Sequence, residues 1–249
     1  MTPPLPPAPH ATTLRALARL IGYPDAALRA HLPELREALH AQPVLGDERL
    51  DALDRLVDGL RASPGLDAEA AYVDLFDRGR GTALHLFEHV HGDSRDRGPA
   101  MIDLLQTYEA AGLYLSSDEL PDHLTVVLEY ASTQPADAAC AFIGEIAHLL
   151  QRIHSALVRR ESPYTAVLAA LLDFAGETVQ PAPVPAEPAL DDTWAEPAAF
   201  GGCSSDGQRA PTAAHAPNAP NTPQPIQIVR RNGPPRAASA DSLSHGASA

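Results

Sequence analysis

Periodicity constrains this fold more than any single motif. From residue 12 to residue 178, apolar side chains return at the three- and four-residue intervals that place them on one face of an α-helix. Leu14, Leu17, Leu20 and Ile21 form the first stripe, ended by Gly22, a residue type that readily takes the left-handed conformation at a helix C-terminus. Leu28, Leu32, Leu35 and Leu39 form a second stripe across Pro33, which predicts two short helices or one sharply kinked helix. Asp47 is expected to cap a third, with Leu50, Leu53, Leu56, Val57 and Leu60, broken at Ser63-Pro64-Gly65. No segment alternates with period two, so the pattern predicts an all-α, single-domain helical bundle.

Beyond Gly65 the stripes are shorter. Tyr72, Leu75 and Phe76 predict the buried side of a fourth helix, and Leu84, Phe87 and Val90 a short apolar-faced segment after the turn Arg78-Gly79-Arg80-Gly81. Met101, Leu104, Leu105 and Tyr108 predict a further helix with Pro99 in its first turn, where the missing N–H costs nothing. Pro121 is expected to open a helix holding Leu124, Val127, Leu128 and Ala131. Pro135 is expected to open a longer one running from Phe142 to Leu157 and ending at Arg159 and Arg160, whose charges suit the negative end of the helix dipole. Ser162 and Pro163 begin a last helix with Tyr164, Val167, Leu168, Leu171 and Leu172, closed by Gly176. Phe76, Phe87 and Tyr108 are expected in the core.

The flanks read differently. Residues 1–11 are Pro-rich, with neither a basic start nor an apolar run, so they are expected to be disordered and not to act as a signal peptide. Residues 179–249 are rich in Pro and Ala and are expected to form a disordered tail, since so little apolar surface cannot offset the entropy of ordering. Two segments of the tail, residues 191–201 around Trp194 and residues 224–231 around Ile226, are candidate docking islands.

The formal net charge is −14, and residues 1–179 carry 26 acidic against 14 basic side chains. Such a field repels nucleic acid and favours a cationic peptide or protein segment as partner. No stretch is long and apolar enough to insert into a membrane. Cys140 and Cys203 lack the spacing of a metal or redox motif, which fits a reduced, cytoplasmic protein, and Cys140 reads as a buried small residue.

One enzyme-like pattern occurs. His85-Leu86-Phe87-Glu88-His89 satisfies the H-x-x-E-H spacing of inverted zinc peptidases, which on a helix would set His85 and His89 on one face around a metal with Glu88 as base. The pattern is short, the chain holds 11 His, and no third ligand is apparent, so neither a zinc hydrolase nor any resident metal or cofactor is the expected outcome. No nucleophile elbow or phosphate loop is present.

The most distinctive residues lie between Tyr72 and Tyr130: YVDLFDRG, then LFEHVHGDSRDRG, then ELPDHLTVVLEY. Together these blocks resemble the NarJ-type family, the nitrate reductase delta-subunit chaperones that assist molybdenum cofactor assembly. The ELPDH block is similar to the Glu-x-Pro-Asp-His signature of redox-enzyme maturation chaperones more widely. The resemblance implies an all-helical chaperone that is not an enzyme. Its implied partners are the unassembled catalytic (alpha) subunit of respiratory nitrate reductase, including that subunit's N-terminal segment, and the cofactor-insertion machinery. A maturation chaperone for another molybdoenzyme of the superfamily is the alternative. Carried over by position, the implied client-binding residues are Asp77, Arg78, Glu88, His89, His91, Arg95, Asp96, Arg97, Glu119, Pro121, Asp122 and His123. His85 falls outside the resembling block.

Overall fold

The first stripe becomes α1 (Pro9–Leu20), which buries Leu14, Leu17 and Leu20, and Pro9 occupies its first turn. The computed structural model describes residues 8–92, 94–115 and 119–184; the predicted islands of the tail lie outside them. The second stripe is two helices, α2 (Ala26–Ala30) and α3 (Leu32–His40), with Pro33 in the first turn of α3, where it breaks no hydrogen bond. Asp25 caps α2 by accepting the Leu28 amide at 2.7 Å.

α4 (Asp47–Ala62) has Gly46 as its cap, and Asp47 stands in its first turn, where a carboxylate favours the positive end of the helix dipole. Arg36 ties α3 to α4 through Asp54, at 3.1 Å. α5 (Gly65–Tyr72) runs into a π-type turn, Val73–Asp77, in place of the continuous fourth helix that the sequence predicts. Arg160 donates to the carbonyls of Asp74 and Leu75 in that turn, at 3.0 and 3.2 Å. Gly79 is buried directly behind it, and a Cβ there would meet Leu75 O at 2.6 Å and Arg160 at 2.9 Å.

The short segment after the turn forms α6 (Leu86–Val90), and α7 (Arg97–Ala110) follows. Only Tyr108 of α7 is buried, while Met101, Leu104 and Leu105 are half-buried and Ile102 is exposed. α8 (Leu124–Thr133) starts three residues later than Pro121 predicts, because His123 is its cap and Thr125 N–H donates to His123 Nδ1.

The long helix predicted after Pro135 is two: α9 (Ala136–Glu145) and α10 (Ala147–Arg159), separated by Ile146. α9 packs on both α8 and α11, whereas α10 packs mainly on α11, so the chain turns between two sets of neighbours that one straight helix would not satisfy. Cys140 on α9 is half-buried and unpaired, a correction to its expected burial.

α11 (Thr165–Phe174) is buried without interruption from Ala166 to Leu172, which identifies it as the central helix, enclosed by α4, α9 and α10. Each fully buried leucine in this core contributes about 1.5–3 kcal/mol of transfer free energy. Among the described residues the regular structure is all helical, and the one piece of β-type pairing is an isolated antiparallel bridge between His85 and His123.

Past α11 and the turn at Gly176 the chain continues without helix or strand to Val184, beyond the boundary expected at residue 178. The Gln180 amide donates to Gln151 Oε1, and the Ala182 amide donates to Ser155 Oγ, both at 2.9 Å and both on α10.

Candidate functional site

The bridge between His85 and His123 holds together segments far apart in the sequence. Leu124 N–H donates to Leu84 O at 2.9 Å and Leu86 N–H to Asp122 O at 3.1 Å, so the loop before α6 lies alongside the loop before α8. His85 has an extended backbone and precedes α6. His85 and His89 therefore do not share a helical face.

Asp122 is the centre of this junction. The sequence suggests an exposed carboxylate at a helix start, but Asp122 is 0% exposed. Its Oδ2 accepts the Phe87 amide at 3.0 Å, its Oδ1 lies 3.4 Å from His85 Nδ1, and Arg97 approaches Oδ2 at 3.9 Å. Burial pushes this carboxyl upward, but the hydrogen bonds from His85 and the Phe87 amide, with the charge of Arg97, outweigh it and hold the group below its ordinary value. The same contact, chiefly the hydrogen bond to Asp122, raises His85 above the usual imidazole range. Asp122 thus fixes α6, the start of α7 and the approach to α8 relative to one another; it is a positioning residue and not a contact open to a ligand.

The other predicted residues divide by environment. Arg97 also reaches Glu88 at 3.7 Å. Pro121 is buried, and its carbonyl accepts the Tyr108 hydroxyl at 2.8 Å. His89 turns inward, its Nε2 bonded to Ala83 O at 2.8 Å, and burial lowers its pKa. The zinc arrangement of His85, Glu88 and His89 is therefore not assembled: Glu88 points to Arg97, His89 to a backbone carbonyl and His85 to Asp122. His91 packs edge-on against Phe87, which is half-buried. Asp96 is bonded to the Ser94 hydroxyl, Arg95 is exposed, and Arg78 pairs with Asp74 at 3.6 Å on an exposed surface.

Asp77, Glu119 and His123 open onto a polar cleft of about 460 Å³, together with His85, Tyr23, Asp25, Glu129 and Arg19. Burial lowers the His123 pKa, and its Nδ1 lies 2.7 Å from the Thr125 hydroxyl. Arg19 and Glu129 also line an apolar trough of about 450 Å³ walled by Tyr108, Leu113, Tyr114, Val126 and Tyr130. An acidic cleft and an apolar trough thus share one rim along α1 and α8. The sequence singled out neither Arg19, Tyr23, Asp25 and Glu129 nor the trough, because these residues come together only through the packing of α1 on α8.

Residues 23–170, which include the junction and all of the cleft's lining except its edge on α1 and Gly22, match the family model described as the nitrate reductase delta subunit. The chain belongs to that family. It is 46% identical over 180 residues to the nitrate reductase molybdenum cofactor assembly chaperone NarJ of Escherichia coli strain K12, covering 71% of this chain and 76% of that protein. It is 42% identical over 168 residues to the probable chaperone NarW of the same strain, covering 67% and 69%. A probable NarJ of Bacillus subtilis strain 168 is 29% identical over 163 residues, 64% of this chain and 86% of that protein. These relatives are named as assembly chaperones, in keeping with a non-catalytic role. Among the described residues no helix is long and apolar enough to cross a membrane.

Proposed function

We propose that this chain is a dedicated assembly chaperone that binds the unassembled catalytic subunit of respiratory nitrate reductase and keeps it competent for molybdenum cofactor insertion. It acts in the cytoplasm, catalyses no reaction, and engages the client's N-terminal segment as part of its recognition. Family membership with 46% identity to a chaperone of that name carries the reading. The shared rim of acidic cleft and apolar trough supports how recognition works: apolar residues of an amphipathic client segment lie in the trough beside Tyr114 and Tyr130, while its basic residues reach Asp77 and Glu119. Binding of this kind shifts the client's population toward the unassembled, cofactor-accepting state.

Calorimetric titration of the full chain with the client's N-terminal peptide, across a salt series, tests this mode. Affinity should fall as salt rises. The double variant Asp77→Asn, Glu119→Gln should bind about 2–10-fold more weakly, from about 0.5–1.4 kcal/mol for exposed charge pairs. Tyr114→Ala should weaken binding without changing the salt slope. Unchanged affinity in all three experiments places recognition elsewhere on the surface, and failure to bind the full-length unassembled subunit removes the functional reading itself.

A further inference from the structure

His85, Glu119 and His123 each present a ligand atom, and these atoms lie within 4.8 Å of one another, with His85 Nε2 and Glu119 Oε1 separated by 3.9 Å. Zinc bonds of about 2.0–2.2 Å in a tetrahedral site put ligand atoms roughly 3.3–3.5 Å apart, so closure needs only a small inward movement. Glu119 is exposed, and its Oε1, which accepts the Leu120 amide at 3.3 Å, sits at the rim of the cleft beside both rings.

The surroundings prepare both rings for metal. The His85 Nδ1 faces the buried Asp122 carboxylate at 3.4 Å, which keeps its Nε2 for a ligand, and His123 would ligate through Nε2 with its Nδ1 proton donated to the Thr125 hydroxyl at 2.7 Å in place of the cap bond from the Thr125 amide. A buried carboxylate behind a ligating histidine fixes the ring and raises its basicity, an arrangement that recurs behind zinc-bound imidazoles. Asp25, Asp77 and Glu129 line the same cleft and more than offset Arg19, so the local field favours a cation.

We propose that His85, Glu119 and His123 form a binding site for Zn²⁺ or a similar first-row divalent cation, with a fourth position open to the cleft. Two nitrogens, one carboxylate oxygen and an open position suit this borderline-soft ion better than Ca²⁺ or Mg²⁺, which take all-oxygen shells. The site differs from the H-x-x-E-H pattern, sharing only His85 with it. Its effect is to clip the loop before α6 to the loop before α8, across the same junction that Asp122 holds. It shares Glu119 with the proposed client cleft, and metal titration without the client reads it separately.

The test uses the full chain prepared without a histidine tag, stripped of metal, and titrated with Zn²⁺ by calorimetry and with Co²⁺ by visible absorption. The wild type should bind one ion in this site, show the intense Co²⁺ spectrum of a four-coordinate centre, and melt at a higher temperature with Zn²⁺ present. Glu119→Gln, at an exposed position, should retain the fold while weakening binding about tenfold or more and abolishing the Co²⁺ spectrum. His85→Gln and His123→Gln should weaken binding likewise, whereas Glu88→Gln and, at the exposed His148 of α10, His148→Gln should bind as wild type. Absence of binding, binding unchanged in Glu119→Gln, or loss in Glu88→Gln overturns the proposal.

Discussion

Replacing Asp122 by alanine should destabilise the whole bundle, although the substitution removes a charged side chain. The carboxylate accepts the Phe87 amide at 3.0 Å in a fully buried position. Hydrogen bonds to an ionised acceptor contribute about 1.5–3 kcal/mol, and an amide left without its partner accounts for much of the cost of truncation. His85 at 3.4 Å and Arg97 at 3.9 Å are both about a quarter exposed and add less than about 1 kcal/mol each. The expected loss is therefore about 2–4 kcal/mol. With a slope of about 2 kcal/mol per molar urea, the middle of the range for a small domain, the unfolding midpoint should fall by roughly 1–2 M.

Asp122→Asn separates charge from shape, since its side-chain oxygen still accepts the Phe87 amide; it should lose about half as much. The pH dependence gives a second check. A carboxyl held below its ordinary value contributes stability that is present above 3.8 and lost as pH falls through the lowered folded value, so Asp122→Asn should flatten the acid limb of the stability profile. Urea unfolding followed by far-ultraviolet circular dichroism measures both. A loss below about 1 kcal/mol for Asp122→Ala, or an acid limb identical to wild type in Asp122→Asn, would refute the role assigned to this residue.

His89, His123 and His154 have folded pKa values lowered chiefly by burial, so their contribution is present above 6.5 and lost as pH falls through those values, while His85, raised by Asp122, contributes below 6.5 and loses that contribution as pH rises through its folded value. His89→Gln, which removes an imidazole lowered by burial, should lessen the loss of stability as pH falls below 6.5, and a urea midpoint with an unchanged pH profile would contradict the assignment. Gly79→Ala should cost about 1–3 kcal/mol by calorimetry, because its Cβ would press on the Leu75 carbonyl, the Thr82 hydroxyl and the Arg160 guanidinium; a neutral result would mean that the π-type turn relaxes freely.

The helical architecture was legible because periodicity is a local property. Leu14, Leu17 and Leu20 need no distant partner to declare a buried face, and all three are buried on α1. The break at Ile146 was not legible, since the apolar stripe continues across it and only the differing neighbours of α9 and α10 demand a turn. The half-exposed residues of α7 were over-read for the same reason: an apolar stripe reveals a face, not whether another element covers it.

At the junction, the sequence drew attention to the ELPDH and LFEHVH blocks, which the fold brings together, but it could not assign the environment of each residue. Asp122 looked like an exposed carboxylate at a helix start, and its burial depends on Phe87, 35 residues away. His85 looked like half of a zinc motif with His89, yet the bridge to His123 redirects it. Charge and spacing identify residue types suited to binding; which of them face solvent is decided by long-range pairing.

The most direct measurement of the central claim is the cofactor content of the client. Respiratory nitrate reductase catalytic subunit would be purified from cells that lack this chain and from cells in which the full chain is restored, and its bound molybdenum determined per polypeptide. If the chain serves cofactor insertion, the subunit from the deficient cells is made but largely free of molybdenum cofactor, and the restored chain returns its content and nitrate-reducing activity together. Equal molybdenum occupancy with and without the chain would contradict it.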